Sequence, residues 1–180
     1  FVFHNPTKVL FGRGTLAALG SETLAWGRKA LLVHGQGSLK RNGLHGQIMD
    51  NLRESGIEVI EHGGVRSNPL LSHAREGVAK AKAAKVEVIV AAGGGSVIDT
   101  AKAVGAGAVV EHDLWKFFTG KRGIKGTLPV LTVPTVAASG SEMNSGMVLT
   151  NDQTREKFGI GPRLIHPKVS ILDPTTTFTL

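Results

Sequence analysis

The stretch from 86 to 106 constrains the fold more than any other part of the chain. Val86-Glu87-Val88-Ile89-Val90-Ala91-Ala92 is an almost unbroken β-forming run that passes straight into Gly93-Gly94-Gly95-Ser96, with a helical stretch from Val97 to about Ala106 behind it. Continuous apolar content without polar alternation suits a strand covered on both faces, and such strands belong to parallel sheets flanked by helices. The rest of the chain repeats this rhythm. Ala30-Leu31-Leu32-Val33 reads as a buried strand broken by Gly35-Gln36-Gly37-Ser38, and Leu44, Ile48, Met49 and Leu52 then fall at helical spacing before Ser55-Gly56. Ile57-Glu58-Val59-Ile60 predicts a short strand and Gly63-Gly64 a turn. Asn68-Pro69 predicts an N-cap with proline at the first helical position, opening a helix to about Ala84. Leu128 to Pro134 supplies a fourth buried strand.

Strands alternating with helices predict an α/β fold, an open, doubly wound parallel sheet whose right-handed crossovers place helices on both faces. Ligands in such sheets bind at the carboxyl ends of the strands, near the switch point. Two further features are expected at the periphery. Thr7 to Phe11, closed by Gly12-Arg13-Gly14, reads as an N-terminal hairpin or strand ahead of a helical stretch from Thr15 to Trp26. Met147–Thr150 and Lys157–Ile160 read as a hairpin at the sheet's edge. Ser170-Ile171-Leu172-Asp173-Pro174 reads as a strand and turn, after which Thr175 to Leu180 has no terminating element, as if the chain were cut there. With no internal repeat and no linker, one domain over 1–180 is the economical reading.

Composition narrows the chemistry. Hydrophobic residues at 41% and charged ones at 19% argue for a globular domain rather than a disordered chain. No apolar run is long enough to span a bilayer, and Phe1-Val2-Phe3-His4-Asn5-Pro6 lacks the pattern of a signal peptide, so a cytoplasmic protein without membrane contact is expected. Without cysteine, thiolate catalysis and thiolate metal sites are excluded. The His at 4, 34, 45, 62, 73, 112 and 166 include no pair three or four residues apart, so no helical metal-ligand pair is expected. A formal charge of +7 suits an anionic partner. The basic residues are scattered, only Arg28-Lys29, Lys40-Arg41 and Lys121-Arg122 being adjacent, and aromatics are sparse, which argues against nucleic acid.

Gly93-Gly94-Gly95-Ser96 between a buried strand and a helix is the sharpest candidate site. Residues without side chains let the backbone approach a ligand, and free N–H groups at a helix N-terminus bind phosphate. The competing reading is a tight turn with Ser96 and Asp99 as a capping box, which needs no ligand. A cap needs at most one glycine, so three favour phosphate. Gly35-Gln36-Gly37-Ser38 is a second glycine-rich turn on the same edge. NAD enzymes often place a carboxylate near such a strand end for the ribose 2′-hydroxyl. Here no acid stands in the segment, and Ser38 with Lys40 and Arg41 suits a 2′-phosphate, although an ordinary turn with a solvated basic helix start fits equally. Gly12-Arg13-Gly14-Thr15-Leu16-Ala17 matches G-x-G-x-x-A but lacks the acidic partner and reads as a structural turn. Thr132 to Glu142 is rich in small and hydroxyl residues able to lie against a ring, or Ser139 and Glu142 form another capping box.

Taken together, Phe11-Gly12-Arg13-Gly14, Gly93 to Asp99, Pro134 to Glu142 and Ile171-Leu172-Asp173-Pro174, in this order and spacing, resemble the iron-containing (group III) alcohol dehydrogenases. Gly35 to Ser38 followed by Lys40-Arg41-Asn42-Gly43 is most similar to the NADP-linked butanol dehydrogenase and aldehyde reductase branch. The resemblance covers essentially the whole chain. It implies a Rossmann-like dinucleotide-binding domain, with the helical half that holds a divalent metal, iron or zinc, absent from this chain. It also implies hydride transfer between NADP, with NAD as the alternative, and a small alcohol or aldehyde in the parent enzyme, a homo-oligomer, and inactivity of these 180 residues alone. By position, Gly94, Gly95 and Ser96 would contact the pyrophosphate and Asp99 would lie near the nicotinamide ribose and substrate. Ser38 and Asn68 would help hold the 2′-phosphate beside Gly35 and Gly37. Thr135 and Ser139 would flank the cofactor, and Lys157 would reach a ribose hydroxyl. The family commonly shows P-T-T-A-G-T-G-S-E where this chain has Val136, Ala138 and Ser139 in place of Thr, Gly and Thr, and Val136 loses a hydroxyl. The related dehydroquinate synthase and glycerol dehydrogenase lineage shares the G-G-G-S-x-x-D turn but favours an acidic first-strand end. A stand-alone nucleotide-binding domain is the reading from another class.

Overall fold

The computed structural model describes residues 1–2 and 4–178; Phe3 in the N-terminal stretch and Thr179 and Leu180 at the other end lie outside the described residues. In chain order the elements are β1 (Lys8–Phe11), a 3₁₀ turn (Thr15–Ala18), α1 (Leu19–Leu24), β2 (Lys29–Gly35), α2 (Ser38–Arg41), α3 (Leu44–Glu54), β3 (Glu58–Val65) and α4 (Leu71–Ala83). There follow β4 (Val88–Gly93), α5 (Gly95–Ala108), α6 (Trp115–Phe118), β5 (Val130–Pro134), β6 (Met147–Thr150) and β7 (Lys157–Ile160). A 3₁₀ turn (Arg163–Ile165), β8 (Val169–Leu172) and a last 3₁₀ turn (Pro174–Thr177) complete the chain. Six strands form one sheet in the order β1-β8-β5-β4-β2-β3, every pair parallel. The expected open, doubly wound α/β sheet is present.

Alternation across the pleat sends each strand's side chains into two cores. Leu32, Val88, Val90, Leu131 and Val133 meet Ile48, Met49 and Leu52 of α3 on one face. Leu31, Ile89, Ala91 and Val130 meet Ala81 of α4 and Ile98, Ala101 and Val104 of α5 on the other. After β3 the chain reverses direction across the sheet to insert β4 on the opposite side of β2, so the carboxyl ends of β2 and β4 flank the switch point. Both glycine-rich turns leave those two ends.

Several local expectations are corrected by tertiary contacts. The N-terminal segment is not a hairpin, because β1 pairs in parallel with β8, Lys8 opposite Val169, and forms the sheet's edge. The β6–β7 hairpin forms, but as a separate two-stranded sheet. Met147 and Leu149 pack with Leu71 and Ala74 of α4 and Ala103 and Ala106 of α5, so the hairpin covers the outside of the helical layer rather than extending the strands. That placement explains why α5 is apolar on nearly all sides. Gly63-Gly64 is not a turn but part of β3. A Cβ on Gly63 would lie 2.2 Å from Cε1 of His34, so the glycine admits the imidazole. Asn68 is not an N-cap: it adopts a left-handed conformation with φ 55°, and α4 begins at Leu71.

Asp173 ties the two ends of the chain together. Its carboxylate accepts from the backbone N–H of Gly14 at 2.8 Å, of Leu16 at 3.4 Å and of Thr175 at 3.0 Å, and from Oγ1 of Thr175 at 2.7 Å. The Gly12-Arg13-Gly14 turn therefore offers its amides to a side chain of this protein, as the structural reading required, and Gly14 has the positive φ of 79° that suits glycine. Burial alone would raise this carboxyl, but the hydrogen bonds from Thr175, Leu16 and Gly14 hold it below the usual aspartate value. Stability gained this way is complete above the unfolded value of 3.8 and is lost as pH falls through the lower folded value. Asp173→Ala is expected to lower unfolding stability by about 2 kcal/mol at pH 7 by orphaning the amides. In urea titrations its difference from the parent chain should shrink at pH values well below 3.8.

Candidate functional site

The turn from β4 into α5 uses its three glycines for three different reasons. Gly93 has φ 156°, and a Cβ there would lie 2.6 Å from Cγ2 of Val97, so backbone and packing both demand glycine. A Cβ on Gly95 would lie 2.3 Å from Oγ of Ser139, so this glycine lets the 139 loop close on the helix. Gly94 has an ordinary extended conformation, φ −81° and ψ −176°, and its missing Cβ would meet only Val136 Cγ2 at 3.9 Å. The fold does not require glycine at 94, yet the backbone lies bare there. Gly94 is also the N-cap of the 14-residue α5, with no side chain bonded to the helix end and no acid in its first turn. Among the described residues, the first amides of α5, with the positive end of its dipole, have no side-chain acceptor.

The capping box drawn from Ser96 and Asp99 does not form, because Ser96 already lies inside the helix and the Asp99 carboxylate points elsewhere. Oδ1 accepts from Oγ of Ser141 at 2.7 Å and Oδ2 from the amide of Val148 at 3.0 Å. One turn along α5, Lys102 is fully buried. Its Nζ donates to the carbonyls of Ser141 at 2.7 Å, Asn144 at 2.8 Å and Gly146 at 2.8 Å, with Ser141 Oγ at 3.0 Å and Asn144 Oδ1 at 3.3 Å. Burial pushes the ammonium down to about 8, opposed by the charges of Asp99 and Glu142. Burial likewise raises Asp99, opposed by Ser141, Val148 and Lys102. Ser141 links the two charged groups, receiving from Lys102 and donating to Asp99. The segment 139–142 has no helix to cap; Ser139 Oγ accepts from the amide of Ser141 at 3.3 Å.

These contacts assemble one cleft of about 310 Å³, lined by Asn68, Gly95, Ser96, Asp99, Ser139 and Lys157, with Pro69 and Val148 beside them. Six of the residues picked out in the sequence are thus brought together. Across the cleft Lys157 Nζ donates to Oδ1 of Asn68 at 2.8 Å, joining the hairpin to the approach to α4. Thr135 lies at the rim of the same turn, its amide bonded to the Gly93 carbonyl at 3.2 Å. Ser38 lies outside that lining, in a second cleft of about 300 Å³ with Arg41, Asn42 and Phe178. Gly35 ends β2, and Gly37 precedes α2 with the Arg41 guanidinium against it, 2.9 Å from where a Cβ would stand.

Sequence reasoning missed Lys102, which looks like an ordinary solvated lysine in an alanine-rich helix. The one available signal was the loop opposite it, Ser139 to Gly146, polar and too short of partners to fold alone. Spacing also missed a grouping of His34, His45 and Glu61, which come from β2, α3 and β3. A rule about residues three or four apart on one helix is blind to ligands gathered from three elements. Glu61 also stands near the β2 strand end, where the local sequence carries no acid. Its carboxylate is engaged by His45, whose hydrogen bond holds it below the usual glutamate value, and Nε2 of His34 lies 3.3 Å from the same oxygen.

The chain has relatives among known proteins. The chain is 48% identical over its full length to a probable NADH-dependent butanol dehydrogenase of Bacillus subtilis, and 35% identical to the NADPH-dependent aldehyde reductase YqhD of Escherichia coli, covering 46% of each. Among solved structures, it superposes over its whole length on NADH-dependent butanol dehydrogenase A from Thermotoga maritima with a TM-score of 0.96 and 50% identity, again covering 46% of that protein. The chain thus spans about half the length of the relatives it matches. The family model for iron-containing alcohol dehydrogenases matches residues 6–174, and the chain belongs to that family.

Proposed function

We propose that this chain is the nicotinamide-dinucleotide-binding domain of a metal-dependent alcohol dehydrogenase or aldehyde reductase, which moves a hydride between NAD(P)(H) and a small alcohol or aldehyde. The observation that carries the reading is Gly94, a bare backbone position that no neighbouring atom of the protein requires, at the uncapped start of a long helix. A pyrophosphate placed there accepts from the first amides of α5 and meets no side chain on approach. Gly95 and Ser96 continue the cradle, and Thr135 and Ser139 flank it. Asn68, which the resemblance sets with Ser38 at the 2′-phosphate, lines this cleft and not the one holding Ser38, so we assign it, paired with Lys157, to ribose hydroxyls. Asp99 lies deeper and holds the Val148 amide, orienting the wall against which the nicotinamide ribose would rest.

The 2′-phosphate of NADP is assigned to the turn after β2. Ser38 offers a hydroxyl, Arg41 lies over Gly37 beside it, and Lys40 adds a second cation. Glu61, the nearby acid, is already engaged by His45 rather than free to take a ribose hydroxyl. NAD is the alternative, and relatives named for either cofactor exist. The residues of this cleft do not fit the family's catalytic metal: no histidine lines it, and its one carboxylate is engaged by Ser141 and Val148. We place that metal, iron or zinc, in the portion of the relatives' length that the chain does not cover. By the same resemblance we propose that the parent enzyme is a cytoplasmic homo-oligomer, and that these residues alone bind dinucleotide without turning over alcohol.

Calorimetric titration with NADPH and NADH tests the assignment. NADPH is expected to bind more tightly, with Arg41→Ala closing the gap by about tenfold through loss of one charge-assisted contact. Gly94→Val is expected to weaken both dinucleotides by at least about tenfold while moving the unfolding midpoint by less than about 3 °C, since a Cβ there meets only Val136 Cγ2, at an ordinary contact distance of 3.9 Å. Unchanged binding in Gly94→Val overturns the phosphate assignment, and preference for NADH overturns only the role given to Ser38 and Arg41. Lys102→Met is expected to cost about 3–5 kcal/mol in urea unfolding, because three carbonyls lose a buried donor, and to abolish dinucleotide binding as the 139–146 loop is released.

A further inference from the structure

We propose that His34, His45 and Glu61 form a binding site for a first-row divalent cation, zinc by ligand chemistry, with an open coordination position toward solvent. His34 projects from the carboxyl end of β2, Glu61 from the neighbouring strand β3 and His45 from the first turn of α3. Nε2 of His34 lies 3.3 Å from Oε2 of Glu61, Nε2 of His45 lies 2.9 Å from the same oxygen, and the three donor atoms are all within 4.8 Å of one another. A tetrahedral zinc with ligand bonds near 2.0–2.1 Å separates its donors by about 3.3 Å, so both histidine-to-Glu61 separations lie within a few tenths of an ångström of what the ion needs, and the third pair lies within 4.8 Å.

The chemistry of His34 points the same way. Its Nδ1 lies 2.8 Å from the carbonyl oxygen of Gly35, an acceptor, so the ring proton belongs on Nδ1. Neutral imidazole then aims the bare lone pair of Nε2 at a carboxylate, setting acceptor against acceptor unless a cation stands between them. Metal-bound histidines commonly arrange their second nitrogen in this way, donating to a backbone carbonyl that fixes tautomer and ring orientation. The ring is also held mechanically: it occupies the space where Gly63 would carry a Cβ, and its side chain is only 6% exposed. Exposure rises outward through His45 at 17% to Glu61 at 39%, leaving an entry path and room for a water at the fourth position. Two imidazoles and one carboxylate form a donor set suited to zinc. Bound there, the ion clamps the free edge strand β3 to β2 and to α3.

Cobalt(II) titrated into the metal-free chain tests the proposal, with Glu61→Gln and His45→Ala as variants. The parent chain is expected to develop visible ligand-field bands of a four- or five-coordinate site, saturating at one ion per chain and displaced by zinc. Each variant is expected to bind at least about tenfold more weakly. Zinc is expected to raise the thermal midpoint of the parent chain but not that of Glu61→Gln. Should His45→Ala fail to fold, the near-isosteric Glu61→Gln decides alone. Absence of bands, or bands of equal strength in Glu61→Gln, overturns the proposal and leaves the three groups a hydrogen-bonded cluster sharing a proton.

Discussion

The candidate site depends on one ammonium group held away from water. Lys102 has no solvent to fall back on, and its three protons are directed at three backbone carbonyls within a six-residue span, from Ser141 to Gly146. A loop of that composition has little means of ordering itself. It follows Gly140 at φ 67° and contains no regular element, so its shape must come from outside. The lysine supplies that shape by converging the carbonyls on a point. The desolvation penalty is offset only because every proton is satisfied and Asp99 sits one turn away on the same helix.

The arrangement makes α5 both floor and fastener of the cleft. Its first turn presents the bare backbone at Gly94. Its second and third turns, through Asp99 and Lys102, hold the segments that bring Ser139 and Val148 to the walls. Gly95 fits the same logic from the other side, since any larger residue would push Ser139 away. Displacing the loop would therefore open the cleft without touching the amides at the helix end. On the proposed reading, phosphate binding and the shaping of the walls would fall to different parts of one helix.

Much of this was legible in the sequence because it depends on local pattern. The β4 run, the glycines after it and the helical spacing in α3 are short-range signals, and each led to the right element. The failures share a different cause. Ser96 and Asp99 stand at cap spacing, yet the carboxylate's partners are 42 and 49 residues away. Lys102 looks solvated until residues 39 to 44 positions later are folded over it. The pairing of β1 with β8 joins the two ends of the chain, and nothing within Lys8–Phe11 distinguishes it from half of a hairpin. Gly63-Gly64 looks like a turn because glycine has two uses, and only the imidazole of His34 reveals the second. Pattern identified elements and the residues of one glycine-rich turn; side-chain networks between distant segments were invisible to it.

The two glycine-rich turns, alike in sequence, have unlike physical capacities. The turn after β4 feeds a helix of 14 residues, long enough for its aligned peptide dipoles to favour an anion at the N-terminus. The turn after β2 feeds a helix of four, whose dipole is negligible and whose next segment restarts at Gly43 with φ 77°. An anion at the first turn can be held by backbone alone, which every dinucleotide offers through its pyrophosphate. An anion at the second must be held by side chains such as Ser38 and Arg41, which differ readily between related sequences. On the proposed reading, anchoring common to NAD and NADP would therefore belong after β4 and discrimination between them after β2, where a single substitution would alter preference without disturbing the longer helix.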